Sequence, residues 1–169
     1  ELSPLSAARL GELALEAGVP AGVLNVVHGF GRDAGEPLCA HPDVRAISFT
    51  VSTLTGNRIV QAAGLKKFSM ELGGKSPCIV FADADLQKAA AQLAIAGFFN
   101  AGQDCTAATR ILVQESVHDE FVALLVAEVK ANAATGDPSR EDILFGPVNN
   151  AGQLERVTGF IDRLPGNAK

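Results

Sequence analysis

Apolar positions in the first half of the chain switch between two spacings. Over residues 5–17, Leu5, Ala8, Leu13 and Leu15 recur at roughly helical intervals, which predicts an amphipathic helix. Gly18 stops it and Pro20 bars its resumption. The β-branched run VLNVV, 23–27, ends near Gly29 and predicts a buried strand. GRDAGEPLCAHP predicts a loop with a short helix, and RAISFTV, 45–51, the next strand. STLTGNRIVQAAG opens on Ser52, a good N-cap, and continues as a helix. KFSMEL and PCIVFA predict two further strands. Helix and strand in alternation predict an α/β fold, a doubly wound parallel sheet with crossover helices.

From residue 85 the pattern changes. DADLQKAAAQLAIAGFFNAG predicts a capped amphipathic helix that runs into a loop, and RILVQE a strand. SVHDEFVALLVAEVKANAA predicts a long helix with Ser116 as its cap and Glu120 in its first turn. GDPSREDILFGPVNN predicts a loop, and QLERVTGFIDRL a last helix. Internal repeats and low-complexity tracts are absent from the sequence.

The chain has 169 residues, enough for one or two small domains, and a chain of this size buries roughly 70% of its unfolded surface. Apolar residues make up 47% and charged residues 20%, as in ordinary globular proteins. The net charge of −5 and the lack of a Lys/Arg stripe argue against nucleic acid or an anionic membrane as partner. Apolar runs fall short of the ~18 residues of a membrane span. The opening ELSPLSAARLGELALEAGVP has no basic n-region or apolar core, so it does not read as a signal peptide. It also lacks an initiator Met, so a processed chain or a piece of a longer one is expected. Three unpaired-looking cysteines argue against disulfides and zinc and for a reducing cytoplasm.

Three stretches carry candidate chemistry. In FTVSTLTG, 49–56, a strand ends and a helix begins; its unpaired N–H groups and positive dipole end suit a phosphate, and equally an ordinary capped helix. In MELGGKSP, 70–77, Glu71 precedes paired glycines that let the backbone bend or approach a ligand. A partly desolvated carboxylate there could serve as general base, and a solvated glutamate before a turn fits as well. In FFNAGQDCTAATR, 98–110, Gly102, Gln103 and Asp104 set Cys105 on a loop. A free thiol near pKa ~8.5 is only a few per cent thiolate at neutral pH, so a nucleophile needs help, and Asp104 opposes ionisation. Cys39 and Cys78 sit in apolar patterns and read as core. His28, His41 and His118 are not placed for a Cys/His dyad. From spacing alone, Cys105 is as readily a core thiol as a nucleophile.

The two motifs together resemble the aldehyde dehydrogenase superfamily. MELGGKSP is followed, 34 residues after its glutamate, by the Phe98, Gly102, Gln103, Cys105 pattern. The resemblance spans the chain: AGVPAGVLNVVHGFG is similar to the family's segment around the adenosine, AISFTVSTLTG to its pyrophosphate turn, and TGDPSREDILFGP to its loop before a late helix. It implies a partial Rossmann-like parallel sheet, the C-terminal part of an NAD-binding domain over 1–73, then the N-terminal part of an α/β catalytic domain over 74–169. It implies Cys105 as the nucleophile, forming a thiohemiacetal and then a thioester, with Glu71 as general base. The Cys105 N–H is implied as an oxyanion donor. Ser52 and Gly56 match the pyrophosphate turn, Gly31 a glycine near the adenosine, Glu1 a ribose-binding glutamate and Leu72 a cofactor contact. An acid at Glu1 disfavours a 2′-phosphate, so NAD is expected over NADP.

The implied partner is a small aldehyde, and the implied full-length protein a cytoplasmic homo-oligomer. NAGQDCTAA resembles the aminobutyraldehyde and betaine-aldehyde branch, and GLKKFSMELGGKSP the semialdehyde branch of aromatic catabolism. Three departures bear on this. Val51 stands where the family usually has Gly, which threatens crowding of the cofactor and strain at positive φ. The family's upstream oxyanion asparagine and cofactor lysine are missing before Glu1, and its second glutamate and oligomerisation strands after Lys169. Little or no turnover is therefore expected from these residues alone. The rival readings are a truncated, non-catalytic remnant with a nucleotide-binding fold, a CoA-acylating dehydrogenase, which Glu71 opposes, and a cysteine hydrolase, which lacks its histidine.

Overall fold

The computed structural model describes residues 1–166 and 168. The chain divides into two compact units, Glu1–Leu72 and Gly73–Lys169.

The first unit opens with helix α1, Leu5–Glu16. Its end is a Schellman motif: Val19 N–H donates to the Ala14 carbonyl at 2.9 Å and Gly18 N–H to the Leu15 carbonyl at 3.0 Å. Gly18 sits at φ +87°, the left-handed position that this stop requires. The 23–27 run then departs from expectation and forms no strand. Strand propensity is realised only against a hydrogen-bonding edge, and the run pairs with neither strand of this unit. Its burial is missing too, since Val23 and Val27 are 69% and 71% exposed. A π-helical turn, Gly31–Gly35, leads into the short α2, Glu36–Ala40.

Strand β1, Ala46–Thr50, is followed by α3, Thr53–Ala63, and β2, Lys67–Glu71. β1 and β2 pair in parallel, from Ala46 opposite Lys67 to Thr50 opposite Glu71, as a crossover helix dictates. Buried Cys39, Ile47 and Ala63 form the core, with Phe49, Ile59 and Phe68 against them. Lys66 Nζ donates to the Cys39 and His41 carbonyls at 2.6 Å each and so ties off the end of α2.

The second unit repeats the parallel crossover. β3, Pro77–Val80, is followed by α4, Leu86–Phe98, and β4, Arg110–Val113. β3 and β4 pair in parallel, from Pro77 opposite Arg110 to Val80 opposite Val113. Each sheet has two strands only among the described residues, so in place of the expected doubly wound sheet the described residues form two small parallel pairs, because KFSMEL and PCIVFA do not pair with each other. Asp85 caps α4, its Oδ1 accepting from Lys88 N–H at 3.0 Å.

Helix α5, His118–Asn132, corrects a second expectation. Ser116 lies in a 3-10 turn, Glu115–Val117, and Val117 holds the cap position without a side-chain bond. Asp119 and Glu120 in the first turn oppose the positive dipole end instead. Val80, Ala90 and Phe121 form this unit's core, where β3, α4 and α5 meet. Helix α6, Ala151–Asp162, is capped by Asn150, whose Oδ1 accepts from Gln153 N–H at 2.9 Å. None of the described helices is long and apolar enough to cross a membrane.

Candidate active site

In the first unit the parallel pairing brings several predicted residues to one edge. Thr50 and Glu71 are the last residues of their strands and lie opposite each other, and Val51 N–H adds one more bond to the Glu71 carbonyl at 3.0 Å. Ser52 therefore starts α3 at the carboxyl edge of the sheet, the position where open α/β sheets bind ligands. Its Oγ accepts from Thr55 N–H at 3.2 Å and lies 3.0 Å from Thr55 Oγ1. The N–H groups of Thr53 and Leu54 find no acceptor among the described residues, leaving two donors at the positive end of an 11-residue helix. That donor set fits a phosphate.

Gly56 is buried one turn on, and a Cβ there would come within 2.9 Å of Leu72 Cδ2. The structure thus joins Gly56 to Leu72, two positions 16 residues apart in sequence. Val51 has no positive φ, so the feared backbone strain is absent, and its side chain is half-buried beside the cap. Glu71 ends β2 with its side chain exposed, so the first unit gives it none of the desolvation that the general-base argument invoked.

Glu1 and Gly31 line different cavities of this unit. Glu1 borders one of about 330 Å³ with Pro4, Leu5, His28, Gly29 and Phe30. Gly31 borders one of about 580 Å³ with Arg32, Glu36, Thr55, Arg58 and Ile59. His28 and Arg58 had no signal in the sequence: a histidine after a strand-like run and an arginine on a helix look ordinary.

In the second unit Cys105 is exposed, while Cys39 in the first is buried and Cys78 half-buried. Cys105 and Thr106 are the central residues of a turn closed by Ala107 N–H to the Asp104 carbonyl at 3.2 Å. The N–H of the first central residue of such a turn is left free. Accordingly, Cys105 N–H has no partner among the described residues. The Asp104 carboxylate clamps the turn, its Oδ1 accepting from Thr106 N–H and Thr106 Oγ1 at 2.8 Å each. These bonds, the backbone one first, hold the Asp104 carboxyl below its ordinary range, so it is anionic at neutral pH beside the thiol.

The approach to this turn is strained. Asn100, Ala101 and Gly102 have φ of 52°, 56° and 78°, three left-handed residues in succession. Asparagine tolerates this region and alanine does not, so Ala101 stores on the order of 1–3 kcal/mol. Asn100 and Gln103 answer with reciprocal bonds: Asn100 Nδ2 donates to the Gln103 carbonyl at 3.0 Å, and Gln103 Nε2 to the Asn100 carbonyl at 3.2 Å. Gly74, just before β3, passes directly under the turn, and a Cβ on it would collide with the Cys105 carbonyl oxygen. Gly74 and Cys105 therefore both lie toward the amino edge of the β3–β4 pair, one ahead of Pro77 and the other ahead of Arg110, whereas Glu71 belongs to the first unit.

Residues 1–168 match the model of the aldehyde dehydrogenase family. The chain belongs to that family.

Its aldehyde dehydrogenase relatives include the 5-carboxymethyl-2-hydroxymuconate semialdehyde dehydrogenase of Escherichia coli. The two are 51% identical over 161 residues, 95% of this chain and 34% of the relative. Among solved structures, γ-glutamyl-γ-aminobutyraldehyde dehydrogenase from Burkholderia cenocepacia superposes with a TM-score of 0.90 at 46% identity. That match covers 95% of this chain and 33% of the other. A double mutant of betaine aldehyde dehydrogenase from Staphylococcus aureus, in complex with NAD+, superposes with a TM-score of 0.88 at 36% identity, covering 95% and 32%. The chain spans about a third of the length of these relatives. The resemblance to semialdehyde, aminobutyraldehyde and betaine-aldehyde dehydrogenases is borne out, as is the α/β aldehyde dehydrogenase fold with small parallel sheets.

Proposed function

We propose that this chain carries the nucleophile and general base of an NAD-dependent oxidation of aldehydes to carboxylic acids, with Cys105 and Glu71 in those roles. Residues 1–73 act as part of a Rossmann-like NAD-binding domain and residues 74–169 as part of the catalytic domain. The observation that carries the reading is Cys105: an exposed thiol with a free N–H, on a turn clamped by Asp104 and seated on Gly74.

Glu71 takes the Cys105 thiol proton, the thiolate attacks the aldehyde carbonyl carbon, and the Cys105 N–H donates to the oxygen on which charge develops. When bound, NAD supplies the acceptor for the hydride that leaves this carbon. The resulting Cys105 thioester is cleaved by a water from which Glu71 takes a proton, and the acid leaves as the thiol is restored. Ser52, Gly56 and Leu72, with the free N–H groups at the start of α3, hold the cofactor's pyrophosphate end. Glu1 takes ribose hydroxyls, and Gly31 lies on the adenosine side. Relatives crystallised with NAD+ support the choice of cofactor. A small aldehyde is the partner, a γ-aminobutyraldehyde-like or semialdehyde compound by the names of the relatives. The setting is cytoplasmic. We assign the full-length protein to a homo-oligomer.

Since little or no turnover is expected from residues 1–169 alone, the test is made on the full-length protein: mass spectrometry of the Cys105 peptide after exposure to NAD+ and γ-aminobutyraldehyde, alongside NADH absorbance. Glu71→Gln should let the acyl thioester accumulate on Cys105, and Cys105→Ala should abolish adduct and NADH together. NADH formation at the wild-type rate by Cys105→Ala would refute the assignment.

A further inference from the structure

The paired glycines after Glu71 are unlike positions. A Cβ on Gly73 would meet nothing within 4 Å, whereas one on Gly74 would strike the Cys105 carbonyl oxygen and lie 3.6 Å from its carbon. Neither has a positive φ, so backbone freedom does not demand glycine at 74. Space does. On the other side of the turn, Asn100 combines a left-handed backbone with a side-chain bond to the Gln103 carbonyl. The turn is thus fixed from below by a missing side chain and from its entrance by a polar brace.

We propose that Gly74 and Asn100 are positioning residues for Cys105, holding its backbone where sulfur and N–H act on one carbonyl group. The inference rests on Cys105 as the nucleophile. Neither residue donates or accepts a proton in the reaction. Gly74 sets the height of the Cys105 peptide over the start of β3, and Asn100 sets its orientation. A Cβ at 74 displaces that peptide by a sizeable fraction of an ångström or more, because the atom it meets is backbone and cannot swing aside.

Two thiol reagents separate positioning from simple exposure. Iodoacetamide needs only the sulfur: the thiolate displaces iodide and a C–S bond forms. p-Nitrophenyl acetate needs both groups: the thiolate adds to the ester carbonyl, the N–H donates to the oxygen on which charge develops, and p-nitrophenolate departs to leave an acetyl thioester. Rates at Cys105 are read by peptide mass spectrometry, with half-buried Cys78 as internal comparison. Gly74→Ala should lower acylation about a hundredfold, the usual effect of a 1 Å misplacement, with alkylation changed less than about threefold. Asn100→Gly keeps the left-handed backbone accessible and removes the brace; it should lower acylation about tenfold with alkylation again retained. Gly97→Ala, whose Cβ meets nothing within 4 Å, should change neither.

A wild-type ratio of acylation to alkylation in either folded variant overturns the assignment for that residue, including when both rates fall together. If Gly74→Ala does not fold, Asn100→Gly decides for the turn as a whole. If neither reagent labels wild-type Cys105 faster than Cys78, the nucleophile reading itself fails, an outcome distinct from an unchanged ratio.

Discussion

Ser52 is asked to do two jobs, and one pair of substitutions separates them. Its Oγ caps α3 by accepting from Thr55 N–H at 3.2 Å, and the same end of the helix is proposed to hold a pyrophosphate. Ser52→Ala removes the cap, which costs about 1 kcal/mol, a fall in Tm of roughly 4–8 °C for a unit of this size. It also removes a hydroxyl donor to a charged group, worth about 1.5–3 kcal/mol, so NAD+ should bind roughly ten- to a hundredfold more weakly. Ser52→Asp keeps the cap, because aspartate ranks with serine at this position, and Tm should stay within about 2 °C of wild type. Its charge, however, repels an incoming phosphate across a contact distance of about 4 Å. The repulsion is about 1 kcal/mol in water and about 4 kcal/mol at an effective dielectric of 20, so affinity should fall roughly fivefold to several-hundredfold. Circular dichroism reads stability, since the chain has no Trp or Tyr for fluorescence. Isothermal titration with NAD+ reads binding. A Ser52→Asp protein that binds NAD+ as tightly as wild type would remove the phosphate from this helix end.

Two further outcomes follow from the second unit. Phe121 is 1% exposed in its core, so Phe121→Ala should cost about 3–5 kcal/mol, a large share of the ~5–15 kcal/mol that stabilises a typical domain. Urea unfolding followed by circular dichroism measures it, and a loss below about 1.5 kcal/mol would mean that this core is not where the stability lies. Asp104, Asp137 and Asp142 are all held below the ordinary carboxylate range, by Thr106, Ser139 and Arg140 respectively. Depressed carboxyls stabilise above their unfolded value, near pH ~3.9, and lose that contribution as pH falls through their folded values. Protection of the Thr106 and Ser139 amides, their exchange normalised to the intrinsic rate at each pH, should therefore hold from pH 7 to 5 and fall below about pH 4. Loosening between pH 7 and 5 would contradict this origin.

What the sequence made legible is mostly what short-range physics decides. Ser52 could be read as a cap, and the helix of DADLQK as capped, because the bonds to Thr55 and Lys88 span three residues. The strands KFSMEL and RILVQE could be read because each follows a crossover helix and meets a parallel partner. The run at 23–27 has as good a strand composition, yet its state depends on an edge supplied by distant residues, which composition does not contain. Ser116 was misplaced by one local turn: the tight 3-10 turn at 115–117 consumes the residues that would have formed the cap. Cys105 could be singled out but not decided by spacing. Its free N–H, the clamp from Asp104 and the seat on Gly74 are properties of a closed turn and of two strands running side by side. The cavity residues Arg58 and His28 were invisible for the same reason.

Both candidate sites answer one difficulty, that a chain of net charge −5 is proposed to bind an anionic cofactor and an oxyanion. At the start of α3 and at the Cys105 turn, the donors on the described residues are backbone N–H groups. The start of α3 offers Thr53 and Leu54 N–H groups, and the turn at 104–107 offers that of Cys105. Such donors are fixed by the backbone, cost no side-chain entropy when a ligand arrives, and are already oriented where charge develops. The requirement they impose is geometric, and it falls on the residues that shape the backbone: Ser52 and Gly56 at one site, Asn100, Gly102 and Gly74 at the other. That is why the informative positions in both motifs are small or turn-forming residues. It also explains why Asp104 can keep its negative charge beside the thiol: its carboxylate is occupied by Thr106, and its function there is to hold the shape of the turn.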